Sequence, residues 1–119
     1  MAITAQELVT AAKQQITEID TSTAQARLAT SLILDVREPA EYAAGHLPGA
    51  VNIPRGVLEF QIGAHPAFQG QQQAEIVVYC QSGGRSALAT HTLNTLGYAG
   101  AVSMAGGFKA WAENGLAVD

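Results

Sequence analysis

The chain has 119 residues, 48% of them hydrophobic and only 13% charged, which excludes a disordered chain and fits one domain with a real core. Its formal charge is −4 and its six basic residues form no cluster, which argues against nucleic acid as a partner. The single cysteine forbids an internal disulfide and leaves a free thiol, as a reducing compartment favours.

Residues Met1 to Gln15 hold no apolar core of signal-peptide type, and no apolar run approaches the roughly 20 residues that span a bilayer. A cytoplasmic protein without membrane contact is the expectation. Thr4-x-x-Glu7 is a capping-box pattern that opens a short helix through about Lys13. Leu8 and Ala12 give it a weak apolar face. Residues 1–15 thus read as a helical extension packed on a domain formed by residues 16–119, with no chemistry of their own.

Ile16 to Asp20 reads as a short edge strand, and Thr21 or Ser22 as the cap of a helix to about Ala29. Leu32-Ile33-Leu34 is a buried strand with Asp35 at its carboxyl end. Pro39 suits the first turn of a helix that Gly45 ends. A turn from Gly45 to Ala50 leads into a strand, Val51-Asn52-Ile53, closed by Pro54. Val57 to Ile62 reads as a helical turn or two, and His65 to Gln73 as a polar surface loop.

Ile76-Val77-Val78-Tyr79 is the next buried strand, and a helix follows from Ser86 to Leu96, with Ala89, Leu93 and Leu96 on one face and Gly97 as its stop. Ala101 to Met104 is the last strand, and Gly106-Gly107 turns the chain into a final helix with Phe108 and Trp111 as core. Strands alternating with helices predict an α/β fold: a mostly parallel sheet with helices on both faces. Ligands bind such sheets at the carboxyl ends of the strands. Cys80 and Asp35 both stand at such ends.

Between strand and helix lies Cys80-Gln81-Ser82-Gly83-Gly84-Arg85-Ser86. A strand, a tight glycine loop and a helix N-terminus form an anion cradle of backbone N–H groups. The only thiol in the chain stands at its mouth, where its thiolate is stabilised as a nucleophile. Arg85, a cation in the first helical turn, opposes the helix dipole and calls for an anion beside it. A ligand in the loop and a buried carboxylate such as Asp35 both meet that need. Three scattered histidines and one cysteine do not make a metal site.

Four separated pieces together resemble the rhodanese family: Asp35-Val36-Arg37-Glu38-Pro39-Ala40-Glu41-Tyr42, Gly45 to Pro54, the loop Cys80 to Ser86, and Gly106-Gly107-Phe108-Lys109-Ala110-Trp111 with Gly115-Leu116. The resemblance implies a five-stranded sheet and a sulfurtransferase. It implies that Cys80 takes sulfane sulfur from a donor such as thiosulfate and carries it as a covalent persulfide, without a cofactor. A thiol, cyanide in the assay, or a protein partner then accepts the sulfur. By position, Cys80 is the nucleophile, and Gln81, Ser82, Gly83, Gly84, Arg85 and Ser86 bind the anionic groups. Asp35 and Arg37 are read as supporting residues, bonded to the loop or paired with Arg85 or Glu41. Arg55, Val57 and Phe60 are candidates for the mouth of the site.

Two other readings stand beside this one. A non-catalytic module would deliver or sense sulfur through a protein partner. A cysteine-dependent phosphatase or arsenate reductase would share the fold. The spacing Cys80 to Arg85 is Cys-x4-Arg, however, where the related phosphatases resemble Cys-x5-Arg with a histidine before the cysteine; Tyr79 holds that position here. An arsenate reductase would need a further thiol.

Overall fold

The computed structural model describes residues 2–119. Five strands form one sheet: β1 (Glu18–Ile19), β2 (Leu32–Asp35), β3 (Val51–Asn52), β4 (Ile76–Tyr79) and β5 (Ala101–Met104), in the order β1-β5-β4-β2-β3. Every pairing is parallel, so the sheet is wholly and not mostly parallel. Parallel neighbours need crossovers, and helices supply them. These are α2 (Thr21–Arg27), α3 (Pro39–Ala44), α4 (Leu58–Gln61, entered by a 3₁₀ turn at Arg55–Val57) and α5 (Gly84–Thr95). An N-terminal helix α1 (Ala5–Lys13) and a final helix α6 (Gly107–Glu113) complete the chain.

β4 is the central strand, and its continuous apolar run reflects burial on both faces. Successive side chains alternate between those faces. Leu34, Val36, Val78 and Cys80 join Leu58, Ala89 and Leu93 in one core. Ile33, Val77, Tyr79 and Met104 join Ala24 and Trp111 in the other. The alternation has a consequence for the site. Asp35 lies level with Tyr79 in the β2–β4 register, one residue before Cys80, and so faces away from the cysteine.

The local signals of the sequence are mostly realised. The Thr4–Glu7 capping box is formed in both directions. Gly97 takes a left-handed φ of 99° and closes α5, with Tyr98 N–H donating to Leu93 O at 2.9 Å. Other expectations need correction. Asp20 caps α2, accepting from Thr23 N at 2.8 Å, because its carboxylate reaches one residue before the hydroxyls could. α5 starts at Gly84, two residues earlier than read, so Arg85 stands in its first turn. Leu96 is exposed, since the helix ends as it turns from the sheet. The stretch 65–73 is not wholly polar: Phe68 is fully buried. On α1, Ala12 is buried and Leu8 exposed; α1 packs along α5, with Val9 beside Gly84. Among the described residues, no helix is long and apolar enough to cross a membrane.

Candidate active site

The loop after β4 brings Cys80 to the start of α5 with its side chain only 1% exposed. Its Sγ accepts the Gly83 N–H at 3.1 Å and lies 3.5 Å from Ser86 Oγ. Gly83 caps α5 at φ 112°, a left-handed conformation that an L side chain resists. Among the described residues, the backbone N–H groups of Gln81, Ser82, Gly84, Arg85 and Ser86 meet no protein acceptor. A helix N-terminus with free backbone donors beside a buried sulfur is the kind of place where an anion is stabilised.

The cradle is held from below by α6. Phe108 N–H donates to Cys80 O at 2.8 Å, and Lys109 N–H donates to Gln81 O at 3.0 Å. The two loop carbonyls are thereby turned toward α6 and used by its first turn. Gly107 makes that approach possible. A Cβ there would stand 2.6 Å from Cys80 O and from the Gln81 carbonyl carbon and oxygen. The Gly106-Gly107 doublet is therefore part of the site's scaffold. In the sequence it read as the turn into a helix and as part of the fourth family-like piece, with no contact to the cysteine loop implied.

Arg85 does not meet Asp35. Its guanidinium forms a two-pronged pair with Glu41 on α3, at 2.7 and 3.0 Å. Glu41 Oε1 also accepts the Glu38 N–H at 2.9 Å. Chiefly through the Arg85 hydrogen bond, the Glu41 carboxyl is held down at about 2. Glu41's hydrogen bonds raise Arg85 above its ordinary value against partial burial, with the charges of Glu41, Cys80 and Glu38 adding. The anion that Arg85 required is thus a protein carboxylate, supplied by the first turn of a neighbouring helix.

Asp35 and Arg37 pair with each other, not with the loop, Arg85 or Glu41. Arg37 Nη2 donates to Asp35 Oδ2 at 2.7 Å, and its backbone N–H to Oδ1 at 2.8 Å. The same guanidinium holds Gly45 O at 2.7 Å and lies 4.4 Å over the Phe108 ring. Both residues are buried, and Arg37 keeps its charge because the Asp35 contact outweighs the cost of burial. Burial pushes the Tyr79 phenol up, so its hydroxyl stays neutral and accepts the Leu47 N–H at 3.1 Å. These groups fix the turn after α3 on the face opposite Cys80. They support the site only through the fold.

Arg55 turns to Glu59 and to Thr92, about 12 Å along α5 from its start, rather than to the loop. Phe60 stands 86% exposed. Three contributors were not given these roles from the sequence. Glu41 carried a signal in its position one turn into a helix beside the strand ends. Gly107 carried one in the glycine doublet. Ser103, whose Oγ lies 2.9 Å from Ser86 Oγ, carried none, because a serine in a strand reads as neutral filler.

Comparison with known proteins identifies the family. The sequence matches the family model of the Rhodanese-like domain over residues 15–114, and the chain belongs to that family. It is 43% identical over 98 residues to thiosulfate sulfurtransferase 16, chloroplastic, of Arabidopsis thaliana, covering 75% of this chain and 80% of that one. It is 41% identical over 90 residues to the human thiosulfate:glutathione sulfurtransferase, covering 68% and 78%. A solved structure from Rhodopseudomonas palustris, of unknown function and described as a possible tyrosine phosphatase, superposes with a TM-score of 0.89 at 30% identity, covering 100% and 96%. Its sulfurtransferase relatives make the chain a member of a transferase family.

Proposed function

We propose that the protein is a thiosulfate sulfurtransferase that works through a Cys80 persulfide. One observation carries the reading: the only thiol is buried at the N-terminus of α5, where its sulfur accepts the Gly83 N–H and the neighbouring loop N–H groups are left unpartnered. The Cys80 thiolate attacks the outer sulfur of thiosulfate. The S–S bond of the donor breaks, and sulfite leaves with the electron pair. The persulfide that remains carries its negative charge on the outer sulfur, which the loop N–H groups stabilise as they would an oxyanion. A cyanide ion or thiolate then takes that sulfur and returns Cys80 to the thiolate. No resident cofactor is required, because the sulfur is carried covalently.

The relatives' thiosulfate and glutathione chemistry favours a small thiol as acceptor, with a protein acceptor as the variant reading. A thiol that must remain reduced fits the cytoplasm. The description of the Rhodopseudomonas palustris neighbour raises phosphatase chemistry. The Cys-x4-Arg loop is one residue shorter than the Cys-x5-Arg loop of the related phosphatases. Phosphoryl transfer also wants a general acid, and two carboxylates near the strand ends are committed to ion pairs, Glu41 to Arg85 and Asp35 to Arg37. Purified protein should turn over thiosulfate with cyanide and leave an aryl phosphate intact. Faster cleavage of the aryl phosphate than use of thiosulfate would replace this reading with the phosphatase one.

A further inference from the structure

Ser103 projects from β5 into the face that α5 covers, and it is fully buried. Its hydroxyl meets Ser86 Oγ at 2.9 Å. Ser86, also fully buried, lies 3.2 Å from Gly83 O and 3.5 Å from Cys80 Sγ. Ser86 Oγ thus has three neighbours, while a hydroxyl has one proton and two lone pairs. Gly83 O can only accept, and so can a Cys80 thiolate. Ser103 donates to Ser86, the only acceptor its hydroxyl meets among the described residues. Ser86 donates in turn to Gly83 O, which also accepts the Ala87 N–H at 3.1 Å.

We propose that Ser103 is a positioning residue for Cys80, acting through Ser86. The inference rests on Cys80 being the reacting thiol of the proposed sulfurtransferase. With the thiol protonated, Ser86 accepts from Cys80 and from Ser103 and donates to Gly83 O, so every site on it is used. When the proton leaves Cys80, its sulfur becomes the stronger, charge-assisted acceptor, and the Ser86 hydroxyl turns to it. Once the outer sulfur is loaded, the charge moves out to the loop N–H groups and the Ser86 proton returns to Gly83 O. Ser103 is what makes this possible in both directions. Its O–H occupies a lone pair of Ser86, fixes the rotor and polarises it into a better donor. A buried serine on an apolar face costs stability unless its hydroxyl is used in this way.

Threonine and valine at position 103 have nearly the same shape and differ in the hydroxyl. Ser103→Thr and Ser103→Val therefore separate the hydrogen bond from packing, and Ser103→Ala serves if the larger side chains do not fold. Two readouts are compared at one fixed pH: alkylation of Cys80 by iodoacetamide, and the single-turnover rate of sulfur loading from thiosulfate. Arg85, whose charge interacts with Cys80, and its carboxylate neighbours Glu41 and Glu38 are unchanged in all variants. The valine and alanine variants should alkylate at least about threefold more slowly than the parent, and threonine should restore the rate. Equal alkylation of the threonine and valine variants, or of alanine and the parent, overturns the role of Ser103. Alkylation does not depend on the sulfur donor. Failure of thiosulfate loading in every protein, parent included, would count against the proposed function alone.

Discussion

Replacing Gly107 with alanine tests whether the cradle is built from α6. The backbone there has φ 61°, and a left-handed residue with a Cβ costs about 1 kcal/mol or more. The added methyl also meets the Cys80 and Gln81 carbonyls at 2.6 Å, atoms of the backbone that cannot swing aside as a side chain could. Overpacking of this kind adds about 1–3 kcal/mol. The sum is about 2–4 kcal/mol, or roughly 10 °C in melting temperature for a chain of this size. Gly115 is the control, since its φ is 70° and nothing lies within 4 Å of its Cβ position. Gly115→Ala should therefore lose only the backbone cost, about 4 °C. If Gly107→Ala yields by moving the loop, the Phe108 and Lys109 hydrogen bonds stretch and the N–H groups lose their aim. Sulfur transfer should then fall by about tenfold or more, while Gly115→Ala keeps the parent rate. Thermal melts and the thiosulfate assay on both variants decide it. A Gly107→Ala protein that melts with Gly115→Ala and reacts like the parent would refute the reasoning.

The Arg85–Glu41 pair should show coupling of about 0.5–1 kcal/mol in a denaturation cycle of Arg85→Ala and Glu41→Gln, a modest value because both side chains are over a third exposed or nearly so. Asp35→Ala combined with Arg85→Ala should be additive within about 0.5 kcal/mol, and coupling beyond that would contradict the pairing described above. Glu41 also sets an acid dependence. Its folded carboxyl lies at about 2, below its ordinary 4.5, so its stabilisation is complete above the ordinary value and is lost as pH falls toward 2. The stability gap between the parent and Glu41→Gln should close over that window; a gap that stays constant would mean Glu41 is not held by Arg85.

Local chemistry made the elements legible in the sequence: the capping box at Thr4, the proline opening α3, the glycine ending α5 and the four-residue apolar run of β4. The same run, by requiring cover on both faces, placed Cys80 at the centre of the sheet's carboxyl edge. Partner choice among charged side chains was not legible. Asp35, Arg37, Glu41 and Arg85 all gather near one end of the sheet, and only strand alternation, together with the placement of α3, decides who meets whom. Alternation sends Asp35 to the side away from Cys80, where Arg37 is the cation within reach. Long-range backbone bonds were hidden for a different reason. The donors that hold the Cys80 and Gln81 carbonyls belong to residues nearly thirty positions later, and any residue but proline carries such a donor. Gly107 records the contact only as a missing side chain.

The most direct test of the account is the mass of Cys80 after the protein meets thiosulfate. The intact protein should gain one sulfur atom, on Cys80, and lose it to dithiothreitol or cyanide; Cys80→Ser should gain nothing. An unchanged mass under conditions where the parent consumes thiosulfate, or a sulfur adduct on the serine variant, would contradict the persulfide at the centre of the mechanism.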